Sequence, residues 1–213
     1  MKITPEISVL ISGVISKRKK SKKKSTQELA DFPYQFGEIR YKPENAILIP
    51  GVSSENRFYV PMGYVDRNTV ISNAAFAIYG APLWLLGLLE SRLHMTWLKA
   101  IGGRLGTSFR YSAILVYNTF PVPELSTSRK NEIESLTLNI LDIREEEGGT
   151  MAELYGAPLA ERNPKPMNAR LLKAHQELDQ VVDRAYKASG FKDDTERLSL
   201  LLEMYEEKVK DVK

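Results

Sequence analysis

The stretch GRLGTSFRYS, residues 103–112, concentrates Arg104, Arg110, Gly106 and three hydroxyl side chains, Thr107, Ser108 and Ser112. A guanidinium offers a two-pronged donor that fits guanine or a phosphate. Short hydroxyls donate or accept at base edges and phosphate oxygens. A glycine lets a backbone approach closely. These are the residue types that read duplex DNA, and they are also the composition of an ordinary polar surface loop. The surrounding chain has to choose between the two.

A second concentration lies in SKRKKSKKKS, residues 16–25, where Lys17, Arg18, Lys19, Lys20, Lys22, Lys23 and Lys24 fill seven of eight positions. None of these charges is expected to be buried, so this run, part of a basic N-terminal segment over 1–25, is expected to be a mobile arm. Against DNA such an arm gives salt-sensitive affinity without sequence choice. The charge is uneven overall: residues 1–123 hold 16 Lys+Arg and 8 Asp+Glu, the remainder 14 and 19. A basic half joined to an acidic half suits a nucleic-acid surface on one side only.

Catalytic chemistry is hard to find. There is no cysteine, which excludes disulfides, thiolate zinc sites and a cysteine nucleophile. His94 and His175 are the only histidines; His94 is expected to share a helix face with Glu90, and packing is expected for both rings. No metal site is supported. NPKP, residues 163–166, lacks the consecutive prolines and the aromatic of an amino-methyltransferase tetrapeptide. Glycine-rich phosphate loops and Ser-His-Asp patterns are absent. No apolar run approaches the roughly 18 residues of a membrane span, and the charges after Ile7–Ile15 follow that run where a signal peptide would carry them before it. The expectation is a cytoplasmic protein.

The elements that would position these residues read as α+β, a mixed α/β first part followed by an all-helical second part. Alternation at Ile7, Val9 and Ile11 suggests a strand. Ala46–Ile49 and Phe58–Val60, flanking a polar turn at Ser53–Asn56, suggest a hairpin. Thr69–Ile71 and Ala74–Tyr79 suggest further strands, and Pro50 and Pro61 put strands at edges or ends. From Pro82 to about Ala100, leucines and Trp84 and Trp97 surround one long helix, expected to be buried and ended by Gly102 and Gly103. Residues 103–112 are then a loop on the end of a rigid rod. Pro121 and Pro123 close the first part. Apolar stripes predict helices over 129–147, 168–189 and from about Asp193, with a short turn at MAELYG.

Several segments in order, VSSE.R.Y.P.G, SR.H..W, GRL...FRYS, YN.FP.P and KAH..LD..VD..Y, resemble the C-terminal third of the MmeI-like type II restriction-modification proteins. The resemblance runs from about Lys17 to Tyr186. It implies a DNA target recognition domain over 26–123 and a C-terminal helical domain over 124–213. It also implies a parent enzyme with nuclease and methyltransferase domains, the latter using S-adenosylmethionine to methylate adenine N6. By the same resemblance Gly106, Thr107, Ser108, Arg110, Asn73 and Ala74 are the candidates for base readout. Arg104, Tyr111, Ser53, Ser54 and Arg57, with the basic arm, are candidates for the DNA backbone. Gly106 and Ser108 depart from the charged residues often found there, so no base is assigned. The expected partners are double-stranded DNA and the parent's catalytic domains, with no membrane. The rivals are a free-standing DNA-binding or assembly protein, and a small enzyme working through carboxylates.

Overall fold

The computed structural model describes residues 4–210 and separates into two compact units that divide between Lys42 and Pro43. In the first unit α1 (Pro5–Lys19) and α2 (Lys24–Glu28) are followed by a single 3₁₀ turn, Leu29–Asp31. The strand expected at Ile7–Ile11 is therefore helix. Pro5 occupies the first turn, where its missing N–H costs nothing, and Lys17, Arg18 and Lys19 sit in the last turn, where cations suit the helix dipole. The arm is folded rather than loose. The Arg18 guanidinium donates to the carbonyls of Leu29 (2.7 Å), Phe32 (2.8 Å) and Gln35 (2.6 Å), closing the chain back onto α1.

The second unit begins with two three-stranded antiparallel sheets. One has the order β3 (Gly63–Val65), β1 (Ala46–Pro50), β4 (Ala75–Tyr79). In the other, β6 (Ser108–Arg110) lies between β2 (Val52–Ser53) and β5 (Gly103–Leu105). Pro50 ends the central strand β1, where a missing donor is tolerated. Gly51 then carries the chain from one sheet to the other.

The expected hairpin to Phe58–Val60 does not form. Tyr59, Val60 and Met62 are buried, but this segment finds partners in side chains: the Met62 N–H donates to Glu90 (3.1 Å), and the Met62 carbonyl accepts from Arg144 (2.9 Å). Thr69–Ile71 is likewise loop, with Thr69 held by the Asp66 turn.

The apolar rod is two helices, α3 (Leu83–Leu89) and α4 (Arg92–Ile101), with Pro82 as the N-cap of the first. Ser91 breaks it. Its hydroxyl donates to the Leu88 carbonyl at 2.7 Å and caps α4 by accepting from the His94 N–H. Glu90 and His94 consequently do not share a helix face. A π-helical turn, Ala113–Tyr117, follows β6. The helical part comprises α5 (Thr127–Glu147), α6 (Met151–Tyr155, begun by a Thr150–Glu153 capping box), α7 (Ala169–Tyr186) and α8 (Asp194–Lys210). α5 packs on α3 and α7, and α8 on α4. One apolar core runs from Ile47 and Met62 through Trp97 to Ile140, Leu178 and Leu201.

Candidate nucleic-acid interface

Residues 103–110 are not a loop but a β-hairpin, with Gly103 opposite Arg110, Arg104 opposite Phe109 and Leu105 opposite Ser108. Only Gly106 and Thr107 lie between the strands. Gly106 has φ +60°, the positive value that the first central position of a tight hairpin turn requires, and open space surrounds it. β2 extends the ladder, pairing Val52 with Arg110 and Ser53 with Phe109.

Side chains alternate across a strand, so the ladder sorts the candidates by face. Val52, Leu105, Ser108 and Arg110 share one face with Gly103. Ser53, Arg104 and Phe109 share the other. The first face is open: Val52 and Leu105 are 45% and 58% exposed, Arg110 is exposed and Ser108 half-buried. The second face is largely covered at Ser53 and Phe109, while Arg104 remains exposed. Phe109 is buried, and the Arg104 guanidinium lies 4.1 Å over its ring while donating to Glu55 and the Thr107 carbonyl, each at 3.3 Å. Thr107 stands exposed at the tip.

Asn73 and Ala74 join this surface through Gly51. The Gly51 N–H donates to the Ala74 carbonyl (2.9 Å), and its own carbonyl accepts from the Tyr111 N–H (3.0 Å). A Cβ at Gly51 would lie 2.8 Å from the Ala74 oxygen, so only glycine permits this approach. The structure gathers Gly106, Thr107, Ser108 and Arg110 on one hairpin, ties the backbone of Ala74, next to Asn73, to the edge of its sheet, and adds Val52 and Leu105 to the open face. Those two are apolar, and nothing in their type marked them; strand register is the signal that finds them.

The backbone-contact candidates are placed differently. Ser53 and Tyr111 are buried, which removes both from the surface where a phosphate could be met. The Tyr111 hydroxyl donates to His94 Nε2 at 3.1 Å, while His94 Nδ1 donates to the Leu89 carbonyl at 2.8 Å. Burial pushes the His94 imidazole down to about 4, so it stays neutral and accepts. Arg57 donates to the Gly156 carbonyl (3.3 Å), and the Ser54 hydroxyl accepts the Asn56 N–H within its local turn. In the first unit Lys17, Lys19, Lys20, Lys22, Lys23 and Lys24 are exposed, whereas Arg18 is the clamp described above.

Behind the sheets lies a buried polar joint that sequence inspection missed. Arg144 pairs with Glu90 and with the Tyr155 hydroxyl, and Tyr155 meets His175 Nε2 at 2.9 Å. Tyr59 stacks on His175 (centroids 4.3 Å apart) and donates to Asp179 at 2.6 Å. The other Asp179 oxygen accepts the Arg92 N–H at 2.6 Å. Arg92 forks onto Asp194, and Arg197 onto Asp183. Burial, with the Arg144 charge nearby, holds the His175 ring down at about 3. It pushes the Asp179 carboxyl up to about 6. Among the described residues no three metal-ligating side chains gather, and no helix is long and apolar enough to cross a membrane.

A hairpin-bearing sheet with one open face, mounted on helices, has the form of a recognition module. The comparisons with known proteins say which. Residues 1–124 match the MmeI target recognition domain and residues 125–213 the MmeI C-terminal domain, so the chain belongs to the MmeI family. It is 51% identical over 207 residues to DNA methyltransferase A of Bacillus subtilis (strain 168), covering 97% of this chain and 23% of that protein. It also superposes, with TM-score 0.85 and 38% identity, on the Type IIL restriction-modification enzyme MmeI solved in complex with DNA, over 97% of this chain and 27% of that one. The chain therefore spans about a quarter of the relatives it matches.

Proposed function

We propose that this chain selects the DNA sequence on which a restriction-modification enzyme acts, and that the parent enzyme methylates adenine N6. The observation that carries this is the open face of the β2–β6–β5 sheet. Arg110 and Ser108 stand on it side by side, and the Ala74 carbonyl, one residue after Asn73, is bonded to its edge through Gly51. A two-stranded ribbon fits the major groove, where donors and acceptors distinguish all four base pairs. The solved relative was determined in complex with DNA, which supports DNA as the partner. The lysines of α1 and α2 supply phosphate affinity. S-adenosylmethionine, the methyl donor, would be held by a methyltransferase part outside these residues. In the cleft lined by Tyr59, Arg92, Asp179, Asp194 and Arg197, the charged groups already hydrogen-bond within the protein.

Replacing Arg110 with Ala tests the proposal. Competition among duplexes that vary one base pair at a time should show relaxed choice at one position, by about 1–3 kcal/mol. An equal loss on every sequence would assign Arg110 to phosphate and remove the hairpin from base reading. Removing residues 17–24 should flatten the salt dependence of binding.

A further inference from the structure

We propose that Asp179, on the C-terminal helix α7, is the positioning residue that anchors the recognition hairpin; this rests on the function proposed above. The geometry runs in three steps. First, the two carboxylate oxygens of Asp179 are divided between two segments that adjoin the recognition sheet, one leading into β5 and one leaving β2. One accepts the Arg92 N–H at the start of α4, and the other the Tyr59 hydroxyl from the segment that follows β2. Second, α4 is a stiff ten-residue rod, and one residue separates it from β5. Its first turn and the hairpin sit at opposite ends of a lever roughly 15 Å long, so a small tilt at Arg92 displaces the hairpin. Third, the anchor has no slack. Tyr59 is also stacked on His175, one turn back on the same face of α7, and Arg92 is forked onto Asp194 at the start of α8. A carboxylate at the first amide of a helix also complements its dipole.

Asp183, one turn further along α7, provides the control. It is buried and forked onto Arg197, so its loss should destabilise the helical part comparably, but it bonds neither α4 nor Tyr59 directly and reaches Arg92 only through Arg197 and Asp194. The experiment compares Asp179→Ala, Asp179→Asn and Asp183→Ala in the full 213-residue chain, well below their melting temperatures. Two quantities are read: amide hydrogen exchange, and the ratio of specific to non-specific duplex affinity. Asparagine keeps an acceptor for the Arg92 N–H and a donor for the Tyr59 oxygen. The expected result is faster exchange at residues 103–110 in Asp179→Ala alone, with discrimination reduced about tenfold, the worth of one base pair. Non-specific affinity should be unchanged, and Asp179→Asn should restore both quantities. Unchanged hairpin exchange in Asp179→Ala, or an equal rise in Asp183→Ala, overturns the anchor. A wild-type chain with no sequence preference would instead defeat the functional proposal, while hydrogen exchange still decides the anchor.

Discussion

The recognition hairpin and the joint behind it solve opposite problems. The hairpin is two three-residue strands with an open face and one buried side chain, Phe109. Its outward positions meet no protein partner that constrains their chemistry, so side chains there can change without disturbing the fold. The joint buries Glu90, Arg144, His175 and Asp183 and leaves almost every charge paired. There any single change strands a partner. On the function proposed above, the contrast separates the surface that reads DNA from the joint that holds it still.

The largest effect should come from the joint. Arg144→Met leaves Glu90 buried without its counter-charge, removes the donor to the Tyr155 hydroxyl, which keeps only His175, and releases the Met62 carbonyl. Breaking such a pair costs about 3–5 kcal/mol, and denaturant unfolding should show that loss. A cost under about 1 kcal/mol would mean that solvent reaches the pair.

The joint should also respond to pH. His94 and His175 titrate near 4 and 3 in the folded chain, below the roughly 6.5 of an unfolded histidine. The unfolded state therefore takes up these protons first. The stability each ring supports is complete above about pH 6.5 and falls by about 1.4 kcal/mol per unit as the pH drops below it. For each ring the loss levels off below its folded value. Asp179 and Glu90, both pushed upward by burial, work in the other direction and recover part of the loss. Ring NMR isolates the histidines: neither should protonate at pH 5.5 while the chain remains folded.

Gly51→Ala should have an intermediate effect, because the new methyl meets the Ala74 carbonyl at 2.8 Å. Relieving it costs about 1–3 kcal/mol and moves the 73–74 loop away from the hairpin. Melting temperature and base discrimination should fall together. A fall in melting temperature alone would detach Asn73 and Ala74 from the reading surface.

Much of this organisation was legible beforehand, and the failures share a cause. α5, α7 and α8 were visible because their apolar stripes fix helix period and length locally. The α3–α4 break was hidden because leucines on every side mask the Ser91 cap, and an apolar rod reads as continuous. Phe58–Val60 looked like a strand because it is buried, yet its segment is paired to side chains 28 and 82 residues away in the chain. Residues 103–112 looked like a loop because three-residue strands are too short to show a period. Two of the segments that carry the family resemblance run through the joint at Arg92, His175, Asp179 and Asp183, while GRL...FRYS is the hairpin itself. SR.H..W contains Ser91, Arg92, His94 and Trp97; KAH..LD..VD..Y contains His175, Asp179, Asp183 and Tyr186, whose hydroxyl reaches the Pro121 carbonyl of YN.FP.P at 3.0 Å.

The smallest stability effect belongs to the open face. Leu105→Ser and Thr107→Ala each alter an exposed side chain with no buried partner to strand, so each should change unfolding free energy by less than about 0.5 kcal/mol. Their effect on DNA should be larger and local. Leu105 stands opposite Ser108 on the face shared with Arg110, where an apolar group meets a thymine methyl and a hydroxyl does not. Leu105→Ser should therefore shift preference at a single base pair while leaving the salt slope unchanged, since it removes no phosphate contact. Duplexes differing by thymine against uracil, which lacks that methyl, measure it directly: the wild type should discriminate between them, and the variant should not.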